Sequence, residues 1–323
     1  MVRKRSQYHY AIRRARGRAD LTRAEHLFEA SLQGDCMLLA EMKKIRCGGS
    51  KNHSELPDSV GGGTGEVEIV QKFKTVYQNL YSSAETQAEM TVLLERVNNQ
   101  INPNSMQEVN KVTGIKVKEA ASLMRPKKGD ISGGFTSDAI LNAPDILFEL
   151  LATVFRSFLV HGSITSSLLA CCFLPLLKGS KDPADVGSYR AIAGSSLILK
   201  LFENLILLVW GHLLCSDSLQ FGFKPKTSTT QCTWLVSEVV QHFLRQGSHP
   251  IVTLLDCKAA FDTCRFDIMF QRILDKGVPA IVVRALMYSY QQQYAWVRWG
   301  QARSDIFPIR NGTRQGSIAS PVL

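Results

Sequence analysis

The chain has 323 residues, 45% of them hydrophobic, enough to bury a sizeable core and to form two domains. Its 38 Lys and Arg against 28 Asp and Glu give a formal charge of +10, which argues against cationic partners and favours a polyanion or an acidic membrane surface. The eight cysteines include no C-x-x-C pair and no Cys/His spacing suited to zinc, so free thiols in a reducing compartment are expected.

The charge is uneven. Arg3, Lys4, Arg5, Arg13, Arg14, Arg16 and Arg18 open the chain with no acid among them, the composition of an arm that binds nucleic acid. Residues 3–32 read as a basic helix and Asp35–Arg46 as a second, shorter one with Met37, Leu38, Met42 and Ile45 at helical spacing. The glycine clusters Gly48-Gly49 and Gly61–Gly65 mark a flexible linker. The expected units are therefore a basic helical arm over 1–50, a linker over 51–66 and a helical region over 67–124. In that region Ile69, Phe73, Val76, Tyr77, Leu80 and Tyr81 outline an amphipathic helix, with others near Glu108–Val112 and Val117–Met124.

Arg125-Pro-Lys-Lys-Gly-Asp130 opens the next unit. Asp145 is the expected N-cap of a helix running through Phe155 and Phe158 to a stop at Gly162. Ala170–Leu177 and Tyr189–Ala193 read as two strands joined by a polar turn, and Ser195 or Ser196 caps an apolar helix reaching Leu214. A further helix carries Leu235, Val236, Val239, Val240, Phe243 and Leu244 and ends at Gly247. Ile251–Leu255 reads as a buried strand, and Phe266, Met269, Phe270, Ile273 and Leu274 as an amphipathic helix stopped by Gly277. The alternation predicts an α+β fold. The uncharged run Ser157–Leu177 is long enough to span a bilayer, but its His, Gly, Ser and Thr residues make it a soluble helix-turn-strand. With no signal peptide, no membrane span is expected, an intracellular location (nuclear or cytoplasmic) is, and the sequons at Asn52 and Asn311 are chance matches.

Asp256 stands at the exit of the Ile251–Leu255 strand, where a carboxylate can hold a divalent metal against a nucleotide's phosphates. The bland reading is an acid that caps the next helix. A Walker-B strand of an NTPase looks the same, but no G-x-x-x-x-G-K-[ST] run accompanies it. Phe261 follows Asp256 by five positions, and Asn311-Gly-Thr-Arg314-Gln315-Gly316-Ser-Ile-Ala-Ser320-Pro321 follows some fifty residues later. Together these resemble motifs A and B of reverse transcriptases of non-long-terminal-repeat (LINE-type) retrotransposons. Gly187-Ser-Tyr189-Arg190-Ala-Ile192 is similar to that family's fingers strand, and Gln220-Phe-Gly222-Phe-Lys224-Pro225 to its template-side loop. Arg125–Asp130 resembles a degraded K-x-P-G-x-D-G loop, and the order of motifs agrees from about Leu174 onward.

The resemblance implies an incomplete right-hand polymerase, with residues 125–250 as fingers and 251–323 as a partial palm. It implies an RNA-directed DNA polymerase using an RNA template, a DNA primer, deoxynucleoside triphosphates and, in the complete family enzyme, two magnesium ions. Asp256 would be the catalytic, metal-binding acid. Lys178 and Arg190 would clamp the triphosphate as point charge and fork, the alternative being solvated strand-end charges. Phe261 would exclude a 2′ hydroxyl beneath the incoming sugar, Arg314 would reach a phosphate, Gln315 a nucleotide or template base, and Gly316 would let backbone approach a ligand. Phe223, Lys224 and Lys226 mix rings with charge as a single-strand surface does, or Phe221 and Phe223 form a buried pair. Asp262 is expected to cap the following helix, metal binding being the alternative. The family's aromatic-Ala-Asp-Asp hairpin does not occur in the sequence, so magnesium binding is expected to be weak or absent and the chain inactive alone. The competing reading is a non-catalytic nucleic-acid-binding remnant or a truncated gene model. The oligomeric state stays open.

Overall fold

The computed structural model describes residues 56–82, 87–179, 181–224, 226–257 and 259–322. The basic arm, with Arg3 to Arg18, lies outside them. The chain divides at Pro57, and the unit that follows is Asp58–Leu323. Its glycine-rich start, expected to be a linker, forms instead a tight hairpin of β1 (Ser59–Val60) and β2 (Gly63–Thr64). Gly61 and Gly62 supply the positive φ of that turn, and Gly61 N donates to Ala184 O at 2.8 Å.

Helix α1 (Gly65–Leu80) carries Phe73 and Tyr77 four residues apart, with Tyr81 at its C-cap. That spacing sets the three rings on one face. They cover a five-stranded sheet of β3 (Ala170–Leu177), β4 (Tyr189–Ser195), β5 (Tyr294–Trp299), β6 (Ala302–Arg303) and β7 (Phe307–Pro308). Phe73 meets Tyr189 and Trp299, Tyr77 meets Phe173, and Tyr81 stacks on Phe173 with centroids 5.2 Å apart. The path is β4-β3-β5-β6, with β7 on β5. β3 is antiparallel to β4, from Cys171↔Ser195 to Leu177↔Tyr189, and parallel to β5, from Ala170↔Tyr294 to Phe173↔Val297. A parallel pair needs a long crossover. Here the crossover runs from Lys178 to Gln293.

The other helices are α2 (Gln87–Gln100), α3 (Ser105–Asn110), α4 (Gly114–Ser122), α5 (Ser137–Leu141), α6 (Asp145–His161), α7 (Leu197–Trp210), α8 (Thr229–Arg245), α9 (Phe266–Asp275) and α10 (Ala280–Gln291). The mixture of helices with a mixed sheet is the expected α+β class. Pro144, not Asp145, is the N-cap of α6; its extended backbone suits that position, and Asp145 takes the first turn, where it pairs with Lys118 at 2.6 Å. Gly162 ends the helix in the left-handed region, as the sequence suggests. Ser196 caps α7 through Ile198 N, and Asp130 accepts from Leu197 N at 2.8 Å. The segment Leu197–Leu214 is apolar and long enough to cross a membrane, but 56% of it is buried inside the fold, as suits a core helix. Helix α10 and strand β5 were not evident in the sequence. Helix α10 buries Ile281, Val282, Val283, Ala285, Leu286, Met287, Ser289 and Tyr290, so it shows no polar face to reveal its period.

Candidate functional site

Two segments far apart in sequence meet below the β4 edge. One is the turn after Asp256, the other the loop Asn311–Gly316. Thr313 N donates to Phe261 O at 2.6 Å, Gly312 N to Cys264 O at 2.7 Å and Asn311 Nδ2 to Asp262 O at 2.8 Å. Gly312 is needed here, because φ is +79° and a Cβ would lie 2.7 Å from Asp262 O. The loop also joins the sheet, with Ala193 N donating to Gln315 O at 2.7 Å. Gly316 has φ +116°, and a Cβ there would lie 2.9 Å from Ala193 O. Its glycine serves close approach to β4, while its outer side is exposed.

Asp262 is the hub, and it caps no helix. Arg265 occupies the N-cap of α9. The Asp262 carboxylate instead accepts from the Tyr81 hydroxyl and from Gln315 Nε2, the latter at 3.0 Å to each oxygen. Burial, reinforced by the adjacent Asp262 charge, pushes the Tyr81 phenol well above its ordinary range, so it remains a donor at any physiological pH.

Arg314 departs from its expected role. It is buried, with Nη2 3.3 Å from Glu203 Oε1, and its guanidinium lies over the Tyr290 ring at 5.1 Å. Glu203 Oε2 accepts from Ser317 Oγ at 2.7 Å and Ile318 N at 3.0 Å. Burial disfavours the Arg314 charge, but Cys171, Glu203 and Tyr290 outweigh it and raise its pKa. The Cys171 thiol and the Tyr290 phenol are themselves pushed up by burial and are neutral at pH 7. Glu203 is therefore the effective counter-ion, and Arg314 anchors the loop from inside.

Asp256 is placed otherwise than expected. Ile251–Leu255 forms no strand; the segment is irregular, with Ile251, Leu254 and Leu255 at 93%, 90% and 94% exposure, and Asp256 is exposed too. A strand exists only by pairing, and no described strand lies beside this one. The stripe of α8 is likewise uncovered, with Leu235, Val239 and Phe243 exposed. Exposed apolar chain of this kind seeks partners. At micromolar concentration the isolated protein is expected to self-associate, and the double substitution Leu254→Lys with Leu255→Glu to shift it toward monomer. Sedimentation velocity tests this; a monodisperse wild-type monomer would contradict it.

Phe261 is half-buried and meets the exposed Phe223 ring edge-on, with centroids 5.8 Å apart. Phe223 and Lys226 hold positive φ, 57° and 63°, which is unusual for side chains of their size. Phe223 and Lys224 line a cavity of ≈ 660 Å³ together with Asp217, Gln220, Pro321 and Val322. Lys224 Nζ donates to Asp217 O at 3.2 Å. Lys178 donates to Gly187 O at 2.9 Å across the β3–β4 turn. Arg190 is exposed and has no partner among the described residues. Strand alternation puts it on the face of Ile192, whose Cγ2 lies 3.8 Å from a Cβ built on Gly316.

Residues 178–323 match the family described as Reverse transcriptase (RNA-dependent DNA polymerase). This segment is similar to that family. The chain is 26% identical over 219 residues to the "RNA-directed DNA polymerase from mobile element jockey" of Drosophila funebris, covering 66% of this chain and 24% of that protein. It is 22% identical over 214 residues to the "Retrovirus-related Pol polyprotein from type-1 retrotransposable element R2" of Nasonia vitripennis, covering 66% of this chain and 20% of that one. The chain thus spans a quarter or less of the length of these relatives. Both are non-long-terminal-repeat elements, in line with the LINE-type resemblance of the motifs.

Reverse transcriptases imply magnesium, and the described residues do not make a site for it. Among the described residues no three His, Cys, Asp or Glu side chains cluster. Asp262 is committed to Tyr81 and Gln315. A hard cation takes at least six oxygen ligands, more than Asp256 alone supplies.

Sequence reasoning missed two members of this site. Tyr81 reads as one more ring on an apolar stripe. Glu203 carried a usable signal: an acid inside Leu197–Trp210, a helix otherwise almost wholly apolar, must find a partner when buried.

Proposed function

We propose that this chain is the template- and nucleotide-gripping portion of a LINE-type RNA-directed DNA polymerase, working on RNA template, DNA primer and deoxynucleoside triphosphates inside the cell. The observation that carries this reading is the union of Phe261 with the Thr313–Gly316 loop. It gathers a ring, an amide and an open glycine around one half-buried position. In this reading residues 125–250 act as fingers, 251–323 as part of a palm, and Arg190, on the sheet face beside Gly316, approaches the triphosphate with Lys178. The Phe223–Lys226 loop and the cavity it shares with Pro321 suit stacked, charged single strand. Polymer addition requires carboxylates beyond Asp256, which another segment must bring.

The test is a fusion to the downstream palm and thumb of a jockey-like relative. Magnesium-dependent extension of a DNA primer on RNA is the expected outcome. A fusion that folds and binds primer–template yet adds no nucleotide would favour the competing reading, a nucleic-acid-binding remnant. That reading draws on the solitary, exposed Asp256.

The basic arm gives a separate expectation. If Arg3 to Arg18 neutralise about four phosphates of single-stranded RNA, log K falls against log salt with a slope near −3, at ~0.7 per contact. Filter binding over a salt series measures it. A flat response, or undiminished affinity after deletion of residues 1–46, would remove the arm from the interface.

A further inference from the structure

We infer that Tyr81 is a positioning residue for Gln315, acting through Asp262, and that the end of α1 is part of the site although it lies upstream of the family-matched residues. The inference rests on the polymerase reading above and deepens it. Four observations converge on Tyr81. Its ring is buried and stacked on Phe173, at 5.2 Å and 18°. Its hydroxyl donates to Asp262 Oδ1. Its carbonyl accepts from Arg310 N at 2.9 Å, and the carbonyl of Leu80 accepts from Asn311 Nδ2 at 3.0 Å. A Cβ on Gly312 would lie 2.8 Å from Tyr81 Cε1, so the loop lies against this ring. The end of one helix therefore holds both motif segments, through side chain and backbone together.

The chemistry fixes an orientation. An ionised carboxylate only accepts hydrogen bonds. Gln315 must therefore turn its NH₂ toward Asp262, where Nε2 lies 3.0 Å from both oxygens. Its carbonyl oxygen Oε1 is left without a partner among the described residues and faces away as an acceptor. The Tyr81 hydroxyl completes the carboxylate's bonding and stops it from swinging out of reach of the amide. Gln315 is thereby set to receive a donor group from whatever the site binds. Charge-assisted bonds of this kind are about twice as strong as neutral ones. The sheet supplies the rigid base through Phe173, a β3 residue.

The experiment uses the whole chain with ¹⁵N-labelled glutamine side chains, the Gln315 amide being assigned by its loss in Gln315→Leu. Tyr81→Phe keeps the ring on Phe173 and removes only the hydroxyl. The expected result is about tenfold faster solvent exchange of the Gln315 amide protons and a shift of their resonances, with other glutamines unmoved and little change in melting temperature. Should Tyr81→Phe not fold, Asp262→Asn tests the same link, because it removes the charge that holds the amide. An unchanged Gln315 signature in the folded variant would overturn the positioning role, even if stability fell. Primer–template and a deoxynucleoside triphosphate are then added to the wild-type chain. Perturbation of the Gln315 resonance supports its place in a nucleotide site. If the amide responds to Tyr81→Phe but to neither ligand, the polymerase reading fails while the positioning of Gln315 by Tyr81 stands.

Discussion

Glu203→Gln lowers the melting temperature by about 10 °C. Glutamine keeps an acceptor for Ser317 Oγ and Ile318 N and removes only the charge opposite Arg314. The pair is almost wholly enclosed, with side-chain exposures of 2% and 3%. Breaking a buried pair from one side costs about 3–5 kcal/mol, because the surviving ion is left uncompensated. In a domain of this size each kcal/mol is about 2–4 °C. The double substitution Glu203→Met with Arg314→Met removes both charges and should recover most of the loss. Calorimetry on the three proteins decides the matter. A shift under about 2 °C for Glu203→Gln would mean that the loop does not depend on this pair.

The second large effect is on chemistry. In the fusion that tests the proposed function, Asp256→Asn should leave no detectable primer extension. The substitution preserves volume and removes the negative charge. Asp256 is exposed in this chain, so its replacement should leave melting unchanged. That separates it from Glu203→Gln, where stability falls first. Extension that persists in Asp256→Asn would displace Asp256 from motif A, whatever the remaining likeness.

Legibility in the sequence followed the reach of each signal. Helix α6 and its Gly162 stop, the Ser196 cap and the paired strands β3 and β4 were readable because periodicity, caps and turns are local. The Asn311–Gly316 loop was readable as a motif, and it does bind the Phe261 turn. What failed depended on partners. Ile251–Leu255 has the composition of a buried strand but lacks a neighbour among the described residues. Asp262 sits where an N-cap could be, yet a tyrosine from α1 and an amide from the loop compete for it. Arg314 looks like a phosphate ligand until Glu203, more than a hundred positions earlier, takes it into the core. Such outcomes are set by tertiary neighbours that no window of sequence contains.

The β3–β5 pairing bears on how the protein is made. Ala170 lies opposite Tyr294, over a hundred residues later. A ribosome adds about 5–20 residues per second, so β3 leaves the exit tunnel on the order of ten seconds before its parallel neighbour exists. During that interval α1 and β4 are already present, but one edge of β3 stays open with Phe173 beside it. Contacts of such long separation form slowly. Co-translational holdase chaperones thus have a defined window in which to act, and it closes when Tyr294–Trp299 emerges.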